Sequence, residues 1–247
     1  MIRKGSTGSA VLAWQQLLAD SGHALALDGY FGPQTKNETT MWQMGHRLAA
    51  DGIVGPQTYA MAGEQSFPDR AILDVLIALS EVRNPPGQYL VQSACIEFRV
   101  NTRMRLAHFL GQCAHETGGW RWFEEIWGPT TAQKRYEPPS SLAKTLGNTN
   151  PGDGKLFKGR GAIMLTGRYN YTQAANVLAI PLVDFPERAA FGDRWRVAGL
   201  FWSTRKCNVP ADRNDVAGVT RIVNGGTNGL ADRKALTARA IRVLGIG

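Results

Sequence analysis

Apolar residues recur at helical spacing along most of this chain, and strict alternation over a strand's length is rare. Val11, Leu12, Trp14, Leu17 and Leu18 follow Ser9, a candidate N-cap, and predict a first helix. Two Gly-Pro steps each put proline at the first position of a helix, where its missing N–H costs nothing. They predict one helix over about 33–46 and a shorter one over about 56–62. An apolar helix follows over 71–81, and Pro85-Pro86-Gly87 breaks the chain after it. The strongest helix runs over about 102–116, with Leu106, Phe109, Leu110 and Cys113 on one face and Gly118-Gly119 to end it. Further helices are expected at about 172–179, 188–206, 214–223 and 231–243, with 162–166 as a short strand. Residues 128–160, rich in Pro, Gly, Asn and Lys, read as one long irregular loop, and loops of that length usually serve function.

The first part of the chain repeats itself. Asp28-Gly29-Tyr30-Phe31-Gly32-Pro33-Gln34-Thr35 returns 23 residues on as Asp51-Gly52-Ile53-Val54-Gly55-Pro56-Gln57-Thr58. In each copy Asp-Gly makes a tight turn, two apolar residues are expected to point inward, and Gly-Pro launches a helix. Two copies are too few for a solenoid. The pattern predicts a mainly α protein. A small three-helix domain occupies residues 1–65 and a linker 63–70. A larger, mostly helical domain with at most a small sheet occupies 71–247. The repeat, together with Trp14-Gln15-Gln16-Leu17, resembles the three-helix peptidoglycan-binding domain of wall hydrolases over roughly residues 5–62.

Charge narrows the partners. The chain has a formal net charge of +8, which favours an anionic polymer or surface. No basic helix interleaved with aromatics is present, so nucleic acid is not expected. The three cysteines, Cys95, Cys113 and Cys207, form no spacing pattern and suggest synthesis in a reducing compartment. Arg3 and Lys4 precede no apolar run, so a signal peptide is not expected, nor is stable membrane insertion. The expectation is a monomer made in a host cytoplasm that reaches the wall or periplasm once the membrane is permeabilised.

Glycoside hydrolysis needs two carboxyl groups, one to protonate the leaving oxygen and one to activate water or attack. Glu116 ends the strongest helix, where an apolar setting would keep it protonated, and the two glycines after it would let a polymer approach the backbone. Trp120, Trp122 and Trp127 follow, and aromatic faces stack on sugars. By composition alone these residues read rather as a helix end over core tryptophans, since most aromatics are core.

Longer motifs change that balance. Ala114-His115-Glu116-Thr117-Gly118-Gly119-Trp120 resembles the catalytic-acid segment of glycoside hydrolase family 19, which contains plant-type chitinases and phage endolysins. The runs 146–154 and 157–171 resemble its central loop and strand. Val223-Asn224-Gly225-Gly226 with Asp232-Arg233 resembles its C-terminal signature. The likeness spans about 105–245, and its joining to the N-terminal module resembles a modular phage endolysin with a lysozyme-like catalytic domain.

The resemblance implies Glu116 as general acid, Thr166 as the hydroxyl holding the attacking water, Asn170 and Asn224 as cleft amides, and Arg233 as a nearby basic, substrate-binding residue. Trp120, Trp127 and Tyr169 are further candidate sugar contacts. Phage members place the second carboxylate nine residues after the acid, at Glu125; plant-type members place it near Glu137. Glu125 is preferred because Glu124-Glu125-Ile126-Trp127 resembles the phage form, with Glu124 simply solvated. Lys134, Arg135, Lys158 and Arg160 read mostly as surface charge. Met164 stands where the family often has glutamine. The family inverts at the anomeric carbon and needs no metal or cofactor.

Rival chemistries fare worse. His115-Glu116 begins like a zinc-peptidase motif, but position 119 is glycine, and His23, His46 and His108 supply no third ligand. Cys113 and His115 are two apart on a helix and point apart, against a cysteine amidase. The sequence-level expectation is an N-acetylmuramidase acting on peptidoglycan, with the anionic outer-membrane surface as a second contact. An endochitinase or a non-catalytic wall-binding protein stays open as an alternative.

Overall fold

The computed structural model describes residues 1–66 and 69–246 and divides its buried apolar residues between two cores. Three helices surround the smaller core: α1 (Ser9–Asp20), α2 (Pro33–Gly45) and α3 (Pro56–Ser66). Trp14 and Trp42 meet edge to face at 5.2 Å, and the Trp14 indole donates to Thr39 Oγ1 at 2.8 Å. Gly8, not Ser9, occupies the N-cap of α1, with no side-chain cap.

The two Asp-Gly turns are clamped identically. Gln15 Nε2 donates to Asp28 Oδ1 (2.8 Å), Tyr30 O (3.0 Å) and Thr35 Oγ1 (3.0 Å), while its Oε1 accepts from Gly29 N. Gln43 repeats the set on Asp51 Oδ1 (3.1 Å), Ile53 O (2.9 Å), Thr58 Oγ1 (3.0 Å) and Gly52 N. Each buried amide thus satisfies a whole turn, as a buried polar group must. Only one residue of each apolar pair points inward: Phe31 and Val54 are buried, Tyr30 is 47% exposed and Ile53 half-buried. Extended backbone alternates its side chains, so two neighbours cannot share a face.

The expected linker is largely helical. α3 runs to Ser66, and α4 (Asp69–Ala78) begins the larger domain; residues 67 and 68 lie outside the described residues. A helix that the sequence reading missed, α5 (Gln88–Glu97), follows Pro85-Pro86-Gly87 and docks the small domain. Its Tyr89 and Ile96 pack on the smaller core, Tyr89 lying 6.0 Å from the Tyr59 ring.

The larger core is built around α6 (Arg103–Glu116), whose residues from Leu106 to Ala114 are all buried. Its buried polar residues, His108 and Gln112, are paired with Asn214 and Arg233, so the helix can sit in the middle of the domain. Thr102 caps it, accepting from Arg105 N at 3.1 Å. It crosses α14 (Leu230–Val243) closely because Gly111 has no side chain: a Cβ there would sit 2.6 Å from Thr237 Oγ1 and 3.0 Å from Thr237 Cα. That antiparallel contact sets Glu116 against Arg233.

Between 128 and 160 the chain is not irregular. It holds α7 (Thr131–Lys134), α8 (Ser141–Leu146) and α9 (Asp153–Leu156). Side chains tie these turns together. Asp153 Oδ2 accepts from the N–H groups of Thr149 and Asn150 and from Arg168 Nε, and Asn148 bridges Tyr136 O and Arg168 N. The expected strand over 162–166 is absent. Arg160 pairs singly with Glu124 and Leu165, and among the described residues only such isolated bridges occur, with no sheet. α10 (Arg168–Leu178), a 3₁₀ turn (Pro186–Ala190), α11 (Arg194–Thr204), α12 (Asn208–Asp212) and α13 (Val216–Asn224) complete the domain.

Candidate active site

Glu116 lies at the last turn of α6 with 19% of its side chain exposed. Its Oε1 accepts from Arg233 Nη2 at 2.5 Å, and Arg233 Nη1 donates to Gln112 Oε1 at 2.6 Å. Arg233 is 1% exposed, so it cannot touch a glycan as the resemblance implied; it is a positioning residue for Glu116. His115 braces the same crossing, with Nδ1 2.6 Å from Asp232 Oδ2 and its ring filling the space over Gly229.

The surroundings of Glu116 differ from expectation. Trp120 is 4% exposed, donates to Leu76 O at 2.8 Å and packs edge-on against Trp195; it is core, not a sugar platform. Gly119 is buried against the backbone of Glu81, where a Cβ would come within 2.8 Å of Glu81 N, so its lack of side chain serves packing rather than polymer approach. An ion pair with Arg233, not an oily box, holds Glu116.

Glu125 is held by neutral donors. Its Oε1 accepts from Gln133 Nε2 at 3.0 Å and its Oε2 from Gly159 N at 3.1 Å, while Glu125 N donates to Gly159 O at 2.8 Å. A Cβ built on Gly159 would lie 3.3 Å from Thr166 Oγ1 and 3.4 Å from Glu125 Oε2. Glycine there lets the hydroxyl and the carboxylate converge. Both line a cavity of about 420 Å³ with Trp122, Ile126, Tyr136 and Met164. Trp122, 49% exposed, is therefore the tryptophan at the cavity, while Trp127 leans on Tyr136 at 6.2 Å outside its lining. Burial, and then the Glu125 charge, push the Tyr136 hydroxyl up, so it remains a donor.

Neighbouring charges are structural. Glu124 is not free in solvent: Lys158 Nζ lies 3.1 Å and Arg160 Nε 2.9 Å from its Oε1. Burial works against its charge, but the Lys158 hydrogen bond and the Arg160 and Lys158 charges outweigh burial and hold the carboxyl below its ordinary range. Arg160 is buried and Lys158 half-buried, so neither is free surface charge, and Arg160 also reaches Leu156 O and the Tyr171 hydroxyl. Lys134 and Arg135 are exposed.

Glu137 is committed elsewhere. Its two oxygens accept from Gly152 N at 2.8 Å and Lys155 N at 3.2 Å, which secures the start of α9. A second cavity, about 530 Å³, meets the first at Met164 and Thr166 and is lined by Tyr169 and Asn170. Asn170 spends its amide on Thr166 O (2.8 Å), and Thr166 Oγ1 donates to Met164 O (2.9 Å). Asn224 is exposed at the end of α13, one residue past the cavity-lining Val223. His108 is buried and bonds Asn214, and among the described residues no group of three or more His, Cys, Asp or Glu could hold a metal.

Gln133 was missed by sequence reasoning although it fixes Glu125. Its Nε2 also reaches Ile126 O, and its Oε1 accepts from Gly128 N and Thr130 N. The signal was present: Thr130-Thr131-Ala132-Gln133 is a capping-box pattern, which the structure forms in full.

A family model described as "Chitinase class I" matches residues 95–233. The chain belongs to glycoside hydrolase family 19. A model described as "Putative peptidoglycan binding domain" matches residues 7–61, so this family 19 member carries a peptidoglycan-binding domain ahead of its hydrolase domain. A Haemophilus influenzae protein described as a glycosyl hydrolase family 19 domain-containing protein is 34% identical over 172 residues, covering 60% of this chain and 84% of the relative. Chitinase 2 of Oryza sativa subsp. japonica is 30% identical over 151 residues, covering 51% of this chain and 44% of its own. The chain thus spans about half the length of that plant relative. The crystal structure of Burkholderia AP3 phage endolysin aligns at TM-score 0.26 and 15% identity over 99% of this chain and 97% of that one.

Proposed function

We propose that this family 19 hydrolase cuts the β-1,4 bond on the reducing side of N-acetylmuramic acid in peptidoglycan, as a phage-type lysin. The observation that carries this reading is the peptidoglycan-binding domain joined to, and packed on, the hydrolase domain. The net charge of +8 supports attraction to anionic wall and outer-membrane surfaces. In this reading the protein acts as a monomer, made in a host cytoplasm and meeting its substrate once the membrane is opened.

The mechanism is a single displacement. Water held between Thr166 Oγ1 and Glu125 attacks the anomeric carbon, and Glu125 takes its proton. The C1–O bond breaks, and the leaving oxygen takes the proton from Glu116. Arg233 engages Oε1 of Glu116, which leaves Oε2 to carry and deliver that proton. The convergence of Glu125 and Thr166 on Gly159 supports Glu125 as base. Glu137, with both oxygens occupied by backbone donors, fits a structural role. Trp122, Tyr169, Asn170 and Asn224 offer the sugar contacts.

Mass spectrometry of digested sacculi tests the bond. New reducing ends at muramic acid are expected, released as the inverted anomer. Release of free peptides with intact glycan would overturn the glycosidase reading. The relative named Chitinase 2 favours a second reading, an endochitinase. Cleavage of chitin oligomers with no new ends from sacculi would select it.

A further inference from the structure

We infer that the cavity of about 530 Å³ beyond Thr166 receives the anionic, peptide-bearing substituent of the wall glycan, and that Arg205 is the cation selecting it. The inference rests on the peptidoglycan reading above and names the residue that would separate wall from chitin.

The two cavities differ in chemistry although they share Met164 and Thr166. The one at Glu125 is lined by Glu125 and by Glu124, and the neighbouring cations Lys158 and Arg160 are already engaged by Glu124, so it offers an anion no unpaired cation. The other has walls of Val177, Val197, Leu200 and Phe201, and Arg205 is the charged residue of its lining. Its volume falls in the roughly 300–1,000 Å³ range of small-ligand sites. Arg205 is exposed just past the C-terminus of α11, with its guanidinium carbon 5.8 Å from the Phe201 ring centre. Among the described residues no carboxylate pairs with it, whereas the guanidiniums of Arg160 and Arg233 are both engaged by glutamates.

The substrates differ in the matching way. Every second sugar of peptidoglycan bears a lactyl ether carrying a short peptide with free carboxylates, whereas a chitin sugar bears a hydroxyl there. A sugar at Thr166 has two places to send that substituent. The side at Glu125 offers it no unpaired cation, while the apolar walls of the other accept its methyl groups and Arg205 its charge. Met164, at the junction, presents a thioether rather than a hydrogen-bonding group to whatever crosses between the cavities.

The test compares kcat/KM on soluble peptide-bearing glycan strands with kcat/KM on the same strands after their carboxylates are capped as methylamides. The wild-type protein is expected to prefer the charged strands. Arg205→Gln should lower the charged-to-capped ratio about fivefold, through KM rather than kcat, and Arg205→Glu should lower it further. A ratio that Arg205→Gln leaves at the wild-type value overturns the subsite while the wall reading stands. A wild-type protein that cuts chitin oligomers but neither form of wall strand overturns the wall reading and the subsite with it. Arg205 is exposed, so thermal melting of the variant should match wild type and separate a binding effect from a folding one.

Discussion

Glu116 and Glu125 stand nine positions apart in the chain but are held by opposite means. Glu116 meets a buried guanidinium supplied 117 residues later, delivered by the close crossing of two long helices. Glu125 meets neutral donors, the amide of Gln133 eight residues on and the N–H of Gly159, in a segment of short helices and turns. One carboxylate depends on the domain being assembled and the other on a local scaffold. Damage should therefore reach the two sites by different routes.

The harshest test of this contrast is Glu116→Gln, which keeps the shape but removes the acid. Turbidity clearing of sacculi should fall by about 10²–10⁴-fold. The variant should still sediment with sacculi, because the wall-binding domain is untouched. It should also melt lower, since Arg233 loses its charged partner; about 1–3 kcal/mol is expected. Undiminished clearing would remove Glu116 from the chemistry.

Gln133→Ala probes the other side. It frees the Glu125 carboxylate and also strands the N–H groups of Gly128 and Thr130. A loss of kcat of about 10–100-fold with little change in KM is expected from misplacing a catalytic group. An unaltered kcat would mean that Glu125 needs no such support.

Asp153 reports on the scaffold through pH. The Arg168 hydrogen bond, outweighing burial and helped by two backbone N–H groups, holds its carboxyl below the ordinary range. A depressed folded-state value means that the stabilisation is complete above the unfolded-state value, about 3.9, and is lost as pH falls through the folded one. Asp153→Asn should cost about 3 kcal/mol near neutrality, and its deficit against wild type should narrow below about pH 4. A deficit that stays constant in acid melts would contradict the assignment.

The smallest effect should come from Glu137→Gln. Loss of a carboxylate acceptor at the start of α9 is expected to cost about 1 kcal/mol of stability, with kcat within about twofold of wild type, because both Glu137 oxygens already accept from backbone N–H groups. A collapse of kcat would return the base to Glu137.

Much of the layout was legible in the chain. Gly-Pro steps, the Asp-Gly repeat and the apolar run ending at Glu116 all act over a few residues, and local chemistry is enough to place them. The short helices between 128 and 160 escaped periodicity because four to six residues cannot show a period. They were readable only through caps such as Thr130–Gln133 and Ser140. Trp120 and Trp122 look alike in sequence, yet one ends in the core and the other at the cavity. Gly118, Gly119 and Trp120 all take positive φ, which turns the chain sharply between them.

By itself, then, the sequence determined the helical class, the wall-binding repeat and which glutamates deserved attention, because propensity, turn chemistry and motif spacing are properties of neighbours. Only the tertiary structure decided what each charged group is for. Arg233 became the partner of Glu116, Glu137 a clasp on α9, and Glu124 the centre of a Lys158–Arg160 network. The physical reason is that a charge acquires its role from whatever lies within a few ångströms of it, and folding chooses those neighbours from far along the chain, 117 residues away for Glu116.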